Sequence, residues 1–439
     1  MKTVKVTFYG GAKEVGRSCV MISTEKTRIL LDAGIKLGEV EEHPLIQDKD
    51  LNRIDGIFIS HAHLDHIGYL PHIYSAGYKG HIYTTKPTME LTNVLISDYM
   101  RISNPQDVTK DGLNRLQKSY KVVEFKEDVR LNDLTIRFIP SGHIVGSSMI
   151  TVSDGKSTLI YSGDLNLSKT KLLEGADTKN ITAKTLIIES TYGGRKDIFP
   201  NEGVVAQKTL KSINETLKLG GKVIIPSFAV GRAQEILLML DDYINSGLLP
   251  KVPIYVDGMI NKAMRIHRHN VIYCRKELQR RILMSDYDPF KSSNFIPIES
   301  KTQRAKAVST DESCIIVTTS GMLTGGPVIF YLSKLAGIST NKVILVGYQA
   351  EGTPGRQLQE GAKRIRFDKT VINIGLTVES QHLSAHADRP QLELMIKKIN
   401  GLKNVFIMHG EKSKSEELRE DISSKYKAIV PKNEESFEV

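Results

Sequence analysis

Three histidines and one aspartate fall within the six residues 61–66, HAHLDH. They come directly after the apolar run 57–59, which predicts a short buried strand, so the polar side chains lie in a loop at its carboxyl end. Imidazole and carboxylate without thiolate are ligands that suit zinc, whereas iron and manganese match them less well. So short a loop does not easily place four ligands around one tetrahedral ion. We therefore expect His61 and His63 to face one metal, and Asp65 and His66 to face a second.

Two later strands end in the same way, with a turn of small residues and then one metal-type ligand. The predicted strand Leu134–Ile139 leads to His143, and the predicted strand Ser157–Tyr161 leads to Asp164. We expect both residues to complete the two-metal site, with Asp164 as the bridging carboxylate. Asp32 also follows an apolar strand. Its local sequence fits equally a carboxylate that orients a ligand histidine and an ordinary strand-end turn residue.

Three more residues of this kind occur further along the chain. Glu189 ends the predicted strand Thr185–Glu189, His386 lies in a short polar loop, and His409 closely follows the predicted strand Asn404–Ile407. These positions add two imidazoles and a carboxylate to the residues that the fold must bring together.

The composition indicates a globular protein with a polyanionic partner. The chain has 439 residues, 40% of them apolar, and a net charge of +10, which favours nucleic acid only in combination with a suitable site. No apolar run approaches the roughly 18 to 20 residues that cross a bilayer, so we expect no membrane association. The three cysteines are widely spaced without a CxxC pair, which predicts a cytoplasmic protein without disulfides.

From about residue 200 to 360 the pattern changes to long helices that alternate with apolar strands and Gly/Ser loops. This alternation is typical of a parallel α/β domain, here inserted into the first domain. The densest basic stretch of the chain, residues 265–281, lies in this insert. It fits a solvated helix face, and a surface that faces nucleic acid is the competing interpretation.

The order of these residues resembles that of a known enzyme fold. The motifs of the metallo-β-lactamase fold are matched by Asp32, the 61–66 loop, His143 and Asp164. The three additional motifs of its β-CASP branch are matched by Glu189, His386 and His409. The stretches 226–235 (PSFAVGRAQE) and 320–327 (SGMLTGGP) resemble the inserted domain of RNA-cleaving members similar to the endonuclease subunit of the cleavage and polyadenylation specificity factor.

The resemblance implies an α/β fold in which a metallo-β-lactamase αββα sandwich carries an inserted parallel α/β (β-CASP) domain. The expected ranges are 1–195 for the first part of the sandwich, 196–364 for the insert and 365–439 for the second part. We expect a compact member that resembles short archaeal and bacterial homologues. It would lack the KH region of longer archaeal relatives and the large carboxyl-terminal region of the RNase J branch.

The resemblance also implies a mechanism with two Zn²⁺ ions as cofactors and single-stranded RNA as substrate. One ion would be held by His61, His63 and His143, the other by Asp65, His66 and His409, with Asp164 bridging. Asp65 is counted among the catalytic residues, and His386 would be the general acid, oriented by Glu189. The residues that we expect to bind substrate, from loops at helix N-termini, are Ser227, Arg232, Ser320, Gly321 and Arg356. A homodimer and membership of an RNA-processing or exosome-type complex are compatible with this family.

Other functions share parts of the pattern. A DNA-processing β-CASP nuclease typically lacks a histidine at the last motif, where this chain has His409. A thioester hydrolase would leave the insert unexplained, a scaffold subunit would have lost ligands, and a flavodiiron-type oxidoreductase would carry a carboxylate in place of His63. Whether cleavage is internal, 5′ exonucleolytic or both stays open from the sequence.

Overall fold

The computed structural model describes residues 4–38, 40–367 and 370–439. The chain forms two compact units. Unit 1 comprises Met1–Lys169, Leu173–Ile198 and His386–Val439, and unit 2 comprises Thr170–Leu172 and Phe199–Ala385.

The strands alternate between the two units along the chain. Unit 1 first contributes β1 (Lys5–Gly10), β2 (Cys19–Ser23), β3 (Arg28–Leu31), β4 (Gly56–Phe58), β5 (His81–Thr84), β6 (Tyr120–Val122), β7 (Asp128–Leu131), β8 (Leu134–Pro140), β9 (Ser148–Ser153), β10 (Thr158–Tyr161) and β11 (Thr185–Glu189). Unit 2 contributes β12 (Val223–Pro226), β13 (Ile254–Asp257), β14 (Phe295–Ile298), β15 (Ile315–Thr318), β16 (Lys342–Val346), β17 (Arg364–Phe367), β18 (Thr370–Asn373) and β19 (Thr377–Gln381). The chain then returns to unit 1 with β20 (Asn404–Met408), β21 (Lys427–Ile429) and β22 (Ser436–Glu438).

The helices follow the same division. Unit 1 begins with α1 (Asp48–Leu51), α2 (Leu64–Ile67), α3 (Leu70–Ser75), α4 (Lys86–Ser103) and α5 (Lys110–Lys118). Unit 2 contains α6 (Glu202–Lys218), α7 (Arg232–Asn245), α8 (Ile260–His269), α9 (Lys276–Leu283), α10 (Lys301–Ser309), α11 (Val328–Leu335) and α12 (Pro354–Gln359), with 3₁₀ turns at Val271–Tyr273 and Pro289–Lys291. Unit 1 ends with α13 (Arg389–Lys398) and α14 (Lys412–Ile422).

Unit 1 is a four-layer sandwich. Its two sheets have the strand orders β22-β1-β2-β3-β4-β5-β6 and β21-β20-β11-β10-β9-β8-β7. Successive side chains of a strand point to opposite faces of its sheet, and β11 shows the result. Ile187 packs between the two sheets with Phe8 and Phe138, while Leu186 and Ile188 pack on the outer face with residues of α13 and α14.

The outer face of the other sheet is covered in the same manner. Leu30 and Ile57 pack there against Ile73 of α3, Ile96 of α4 and Leu116 of α5. The layer order is therefore helix, sheet, sheet, helix, and the predicted αββα sandwich is confirmed.

Unit 2 has a six-stranded sheet with the order β14-β13-β15-β12-β16-β19. Every pairing in it is parallel, as the strand-loop-helix pattern predicts. Its central strands β12 and β15, Val223–Pro226 and Ile315–Thr318, are almost continuously apolar and buried, because helices cover both faces of a parallel sheet.

The second domain boundary differs from the expected one. The expected division after residue 364 assigned β18 and β19 to the sandwich, but β19 pairs with β16 from Thr377 to Gln381, and both strands belong to unit 2. The chain returns to unit 1 at His386 instead. A short strand pattern does not reveal which sheet edge the strand will join, because that choice depends on partners distant in sequence.

Candidate metal centre

The 61–66 loop lies in unit 1 where β4 ends. After β4 the chain passes through Ser60 to His61, which is fully buried, and Leu64 then begins α2. The loop can run this close to its neighbours because two glycines leave room for it. A Cβ on Gly163 would lie 2.7 Å from Cβ of Ser60, and one on Gly34 would lie 1.7 Å from the Asp65 carbonyl oxygen. The segment that precedes Asp164 and the segment that follows Asp32 therefore lie directly against the histidine loop.

The first group of converging side chains consists of three imidazoles. His63 Nδ1 lies 3.2 Å from His61 Nε2 and 3.0 Å from His143 Nε2. Asp164 faces the same group, with its Oδ2 atom 3.4 Å from His61 Nε2 and 3.6 Å from His143 Nε2. One ligand atom of each of these residues lies within 4.8 Å of all the others.

The second group consists of Asp65, His66 and His409. Asp65 Oδ2 lies 3.1 Å from His409 Nε2 and 3.9 Å from His66 Nε2. The other oxygen of Asp164, Oδ1, lies 3.2 Å from His409 Nδ1 and 3.4 Å from His66 Nε2. Asp164 therefore turns one carboxylate oxygen to each group, which is the position expected of a bridging ligand.

Burial and charge give the two groups different protonation. Burial lowers the pKa of His61, lowers that of His63 to about 3 and lowers that of His143 well below its ordinary value. Burial also opposes the charged form of His66 and His409. There the carboxylates of Asp164 and Asp65 outweigh it, so the pKa of His66 is raised well above its ordinary value and that of His409 to about 10. The first group thus presents neutral imidazoles, whereas the second holds protons that a bound cation would replace.

The donor set fits a metal ion. His66 Nε2 and Asp164 Oδ1 are buried and make no hydrogen bond within the described part of the chain. Buried polar atoms normally have a partner, and an ion between the two groups would supply one to both atoms. Nitrogen and carboxylate ligands at this density are those of zinc enzymes.

Asp32 orients His66 of the second group through a hydrogen bond with its Nδ1 atom. Its Oδ2 atom accepts hydrogen bonds from His66 Nδ1 at 2.7 Å, Ser60 Oγ at 2.6 Å and Tyr161 OH at 2.8 Å. The Ser60 N–H donates to Oδ1 at 2.7 Å. Of the two interpretations of Asp32, the structure supports the carboxylate that fixes a histidine. The sequence did not indicate Ser60 and Tyr161, and their positions directly before His61 and at the end of β10 were the only available signal.

His386 and Glu189 form a pair at the edge of this centre. His386 Nδ1 lies 3.2 and 3.1 Å from the two carboxylate oxygens of Glu189 and 3.9 Å from Asp164 Oδ2. Burial opposes the charged form, but Glu189 and Asp164 raise the pKa of His386 above its ordinary value. The His386 side chain is 17% exposed while Glu189 is fully buried, so the imidazole is the member that can reach a substrate. Glu189 also lies close enough to Asp164 and His409 to offer a ligand atom itself.

The predicted substrate residues lie in unit 2, mostly where adjacent strands end. Ser227 follows β12 and Ser320 follows β15, and these strands pair with Pro226 opposite Thr318. The N–H of Ser227 donates to the Thr318 carbonyl at 2.8 Å, and the N–H of Ser320 donates to the Gly325 carbonyl at 3.1 Å. These two N–H groups are therefore not available to bind phosphate, which was the basis of the prediction.

The other three residues of this set also bond within unit 2. The Gly321 carbonyl accepts a hydrogen bond from Gln349 Nε2 at 3.1 Å. Arg232 is buried at the start of α7. Burial raises the pKa of Glu235 there, and the charge of Arg232 opposes that rise in part. Arg356 on α12 is half-buried and pairs with Glu360 at 2.6 Å.

Comparison with known proteins identifies the family. Three family models match in succession: a metallo-β-lactamase superfamily domain over residues 21–191, a β-CASP domain over 233–358, and a Zn-dependent metallo-hydrolase RNA specificity domain over 371–431. An RNase J-like protein of Methanocaldococcus jannaschii is 38% identical over 94% of both chains. The chain belongs to the β-CASP metallo-β-lactamases.

Other relatives agree with this β-CASP assignment. Transcription termination factor FttA of the same archaeon is 36% identical and covers 99% of this chain, which spans 72% of that relative. The FttA of a Lokiarchaeum is 37% identical over 98% of this chain. A crystal structure of a protein of unknown function from Enterococcus faecalis shares the fold over the full length of both chains, with a TM-score of 0.62 and 15% identity.

These findings establish the enzyme class. The chain is a metal-dependent ribonuclease of the β-CASP type and an RNA-processing nuclease. The His/Asp cluster of unit 1 offers the ligand atoms that a metal ion needs. Throughout the described ranges, no helix combines the length and apolar character needed to cross a bilayer.

Proposed function

We propose that this β-CASP enzyme hydrolyses phosphodiester bonds of single-stranded RNA at a site in unit 1 that binds two zinc ions. The observation that carries the proposal is Asp164, whose Oδ2 faces the first group and whose Oδ1 faces the second. A carboxylate shared in this way between two sets of ligands supports a pair of ions rather than one.

The residues divide into two ligand sets. One ion would be held by His61, His63 and His143, the other by Asp65, His66 and His409, and Asp164 would be a ligand of both. When bound, such a pair of ions activates a water molecule and stabilises negative charge on the phosphoryl oxygens. The Asp65 side chain is 30% exposed, whereas those of His66 and His409 are almost fully buried. Asp65 is therefore the member of its group that water reaches first.

His386 supplies the proton for the leaving group. A water oxygen forms a bond to phosphorus, the bond between phosphorus and the 3′ oxygen breaks, and that oxygen takes the proton from His386. The products carry a 5′-phosphate and a 3′-hydroxyl. Glu189 holds the imidazole through Nδ1, which leaves Nε2 as the nitrogen that donates. Its negative charge raises the pKa of His386, so the acid form persists near neutral pH.

Contacts with RNA in unit 2 are assigned to side chains rather than to backbone N–H groups. Ser320 and Arg356 are half-buried and can contact a phosphate through their side chains. Ser227, Arg232 and Gly321 are buried and hold the loops in place. The printed names of the relatives, an RNase J-like protein and a transcription termination factor, support a role in RNA processing or decay. Internal cleavage and 5′-to-3′ exonucleolytic cleavage both stay predictions. A cytoplasmic location, a homodimer and an RNA-processing complex stay predictions.

The test is cleavage of 5′-labelled single-stranded RNA, with the matching DNA in parallel, by the zinc-loaded wild type and by His386→Ala. We expect RNA fragments from the wild type and a loss of about 10² to 10⁴-fold in the variant, with the zinc content of the variant equal to that of the wild type. The matched control is His81→Ala, which removes an exposed imidazole of unit 1 and should leave the rate unaltered.

Each other outcome corrects a defined part of the proposal. DNA cut in preference to RNA would make the enzyme a DNA-processing nuclease. Release of mononucleotides alone would restrict it to exonucleolytic cleavage. One equivalent of zinc in an active enzyme would overturn the two-ion assignment, and full activity of His386→Ala would remove the general acid.

A further inference from the structure

A second group of metal-type ligands lies on unit 1, outside the centre described above. His43 lies in the segment between β3 and α1, His72 in α3, and Asp107 in the segment between α4 and α5. One ligand atom of each residue lies within 4.8 Å of the others. His72 Nδ1 and Asp107 Oδ2 are 2.6 Å apart. Three separate segments of the chain thus bring two imidazoles and a carboxylate to one place.

The two imidazoles are held by ring contacts. Tyr69 is only 4% exposed, and its ring stacks on that of His72 with centroids 4.6 Å apart and an interplanar angle of 19°. The ring of His43 lies 5.2 Å from that of Tyr69. Because a buried tyrosine fixes both rings, the ligands are partly ordered before any ion binds, which reduces the entropic cost of binding.

The Nε2 atom of each ring has a carboxylate partner. His43 Nε2 lies 2.9 Å from Glu41 Oε1, an atom that also accepts a hydrogen bond from Tyr99 OH at 2.6 Å. His72 Nε2 lies 3.2 Å from Asp48 Oδ1. A metal-bound histidine usually donates its other N–H to a carboxylate in this manner. In this arrangement Nδ1 would be the ligand nitrogen of each ring, and in His72 that atom already contacts the third ligand, Asp107.

The negative charge of the carboxylates around His43 and His72 also favours a bound cation. Glu41, Asp48 and Asp107 bring three carboxylates to two imidazoles, and among the described residues no lysine or arginine forms an ion pair with any of them. A neutral imidazole has one N–H, so His72 cannot donate to Asp48 and Asp107 together unless it is protonated. A divalent ion coordinated by His72 Nδ1 and Asp107 would replace the 2.6 Å hydrogen bond between them, leave the Nε2 N–H of His72 for Asp48 and offset the negative charge.

We propose that His43, His72 and Asp107 bind a zinc ion that is separate from the catalytic ions. Two imidazoles, one carboxylate and a water would complete a tetrahedral set. The ion would join the segment before α1, helix α3 and the segment after α4, so its role is structural. The ligand side chains are between 20% and 44% exposed, so zinc reaches the site from solvent without unfolding.

The test is the zinc content of the full chain after loading and removal of loose metal. His43→Ala and Asp107→Asn should each lose one equivalent per chain relative to the wild type, while RNA cleavage stays within about twofold, since neither residue belongs to the catalytic centre. The double variant should lose no more than one equivalent. His81→Ala, an exposed imidazole without such partners, should lose none.

Unchanged zinc content in both single variants would overturn the proposal and leave a hydrogen-bonded surface network only. Asp107→Asn removes charge from an exposed residue with almost no change in shape, so it separates metal loss from misfolding. Zinc binding at this site is measured as a difference from the wild type. The result therefore does not depend on whether the catalytic centre holds one ion or two.

Discussion

In unit 1 the residues that follow β4 and β10 include two buried side-chain atoms, His66 Nε2 and Asp164 Oδ1, that form no hydrogen bond with any described residue. In unit 2 the side-chain oxygens that follow β12 and β15 have partners, since Ser227 Oγ lies 3.4 Å from the Phe228 carbonyl oxygen and Ser320 Oγ lies 3.3 Å from Thr324 Oγ1. Both sets arise from the same sequence pattern of apolar strand, small residues and polar residue. The pattern indicates a strand end, whereas unsatisfied and converging polar atoms distinguish a metal site from a structural turn.

The largest effect is expected for Asp164→Asn. The change removes the carboxylate that faces both ligand groups and that helps to raise the pKa of His66 and His409. Loss of several kcal/mol of metal-dependent stabilisation corresponds to a fall of about 10³-fold or more in the cleavage rate. Bound zinc should fall as well. Asp111→Asn, which alters only an exposed ion pair with Arg115, is the control. An active Asp164→Asn enzyme with full zinc content would contradict the bridging role.

Glu189→Gln should reduce the rate at neutral pH by about 10²-fold with zinc retained. Glu189 raises the pKa of His386, and a general acid loses activity as pH rises through its pKa. Removing the charge lowers that pKa, so the alkaline limb of the pH-rate profile should move to lower pH. The measurement is the profile of kcat for both enzymes. A uniform fall at every pH would assign Glu189 a structural or metal-ligand role instead.

Asp32→Asn should weaken metal binding by about 10 to 100-fold, because the amide cannot accept the set of hydrogen bonds that now fixes His66 and Ser60. Competition with a zinc chelator measures the loss. Tyr161→Phe removes a single hydrogen bond to the same oxygen and should have a smaller effect. Equal effects of the two variants would mean that Asp32 serves the packing of the strand ends rather than the metal.

Arg356→Gln should raise KM for RNA by about tenfold without altering kcat, the loss expected for one charge-assisted contact with phosphate. The steady-state constants measure it. Glu360→Gln provides the control, since it removes the ion-pair partner of Arg356 and leaves the guanidinium in place. A rise in KM for both variants would show that the pair supports α12 and does not contact RNA.

The smallest effect is expected for Ser227→Ala. The side chain is buried, and its one hydrogen bond to a described residue is a 3.4 Å contact with the Phe228 carbonyl. Removing its oxygen should therefore change kcat/KM by less than about threefold. A tenfold loss would break the comparison between the units, because it would give a strand end of unit 2 a direct part in catalysis or binding.

Most of the fold was predictable because its elements have local signals. Short apolar runs predicted the strands that precede His61, His143 and Asp164, and the strand-loop-helix pattern predicted the parallel sheet of unit 2. The unit to which strands β17 to β19 belong was not predictable. Their assignment to unit 2 rests on the pairing of β19 with β16, which no local pattern contains.

The sequence by itself determined which side chains could bind metal and that they follow strands, because residue type and strand periodicity are local properties. Only the tertiary structure decided how their atoms combine. The two oxygens of Asp164 face different groups, Asp32 holds His66 from 34 residues away, and His43 meets Asp107 on the surface. Such meetings depend on sheet register and on close backbone approaches at glycines such as Gly163, and these are set by packing among distant segments.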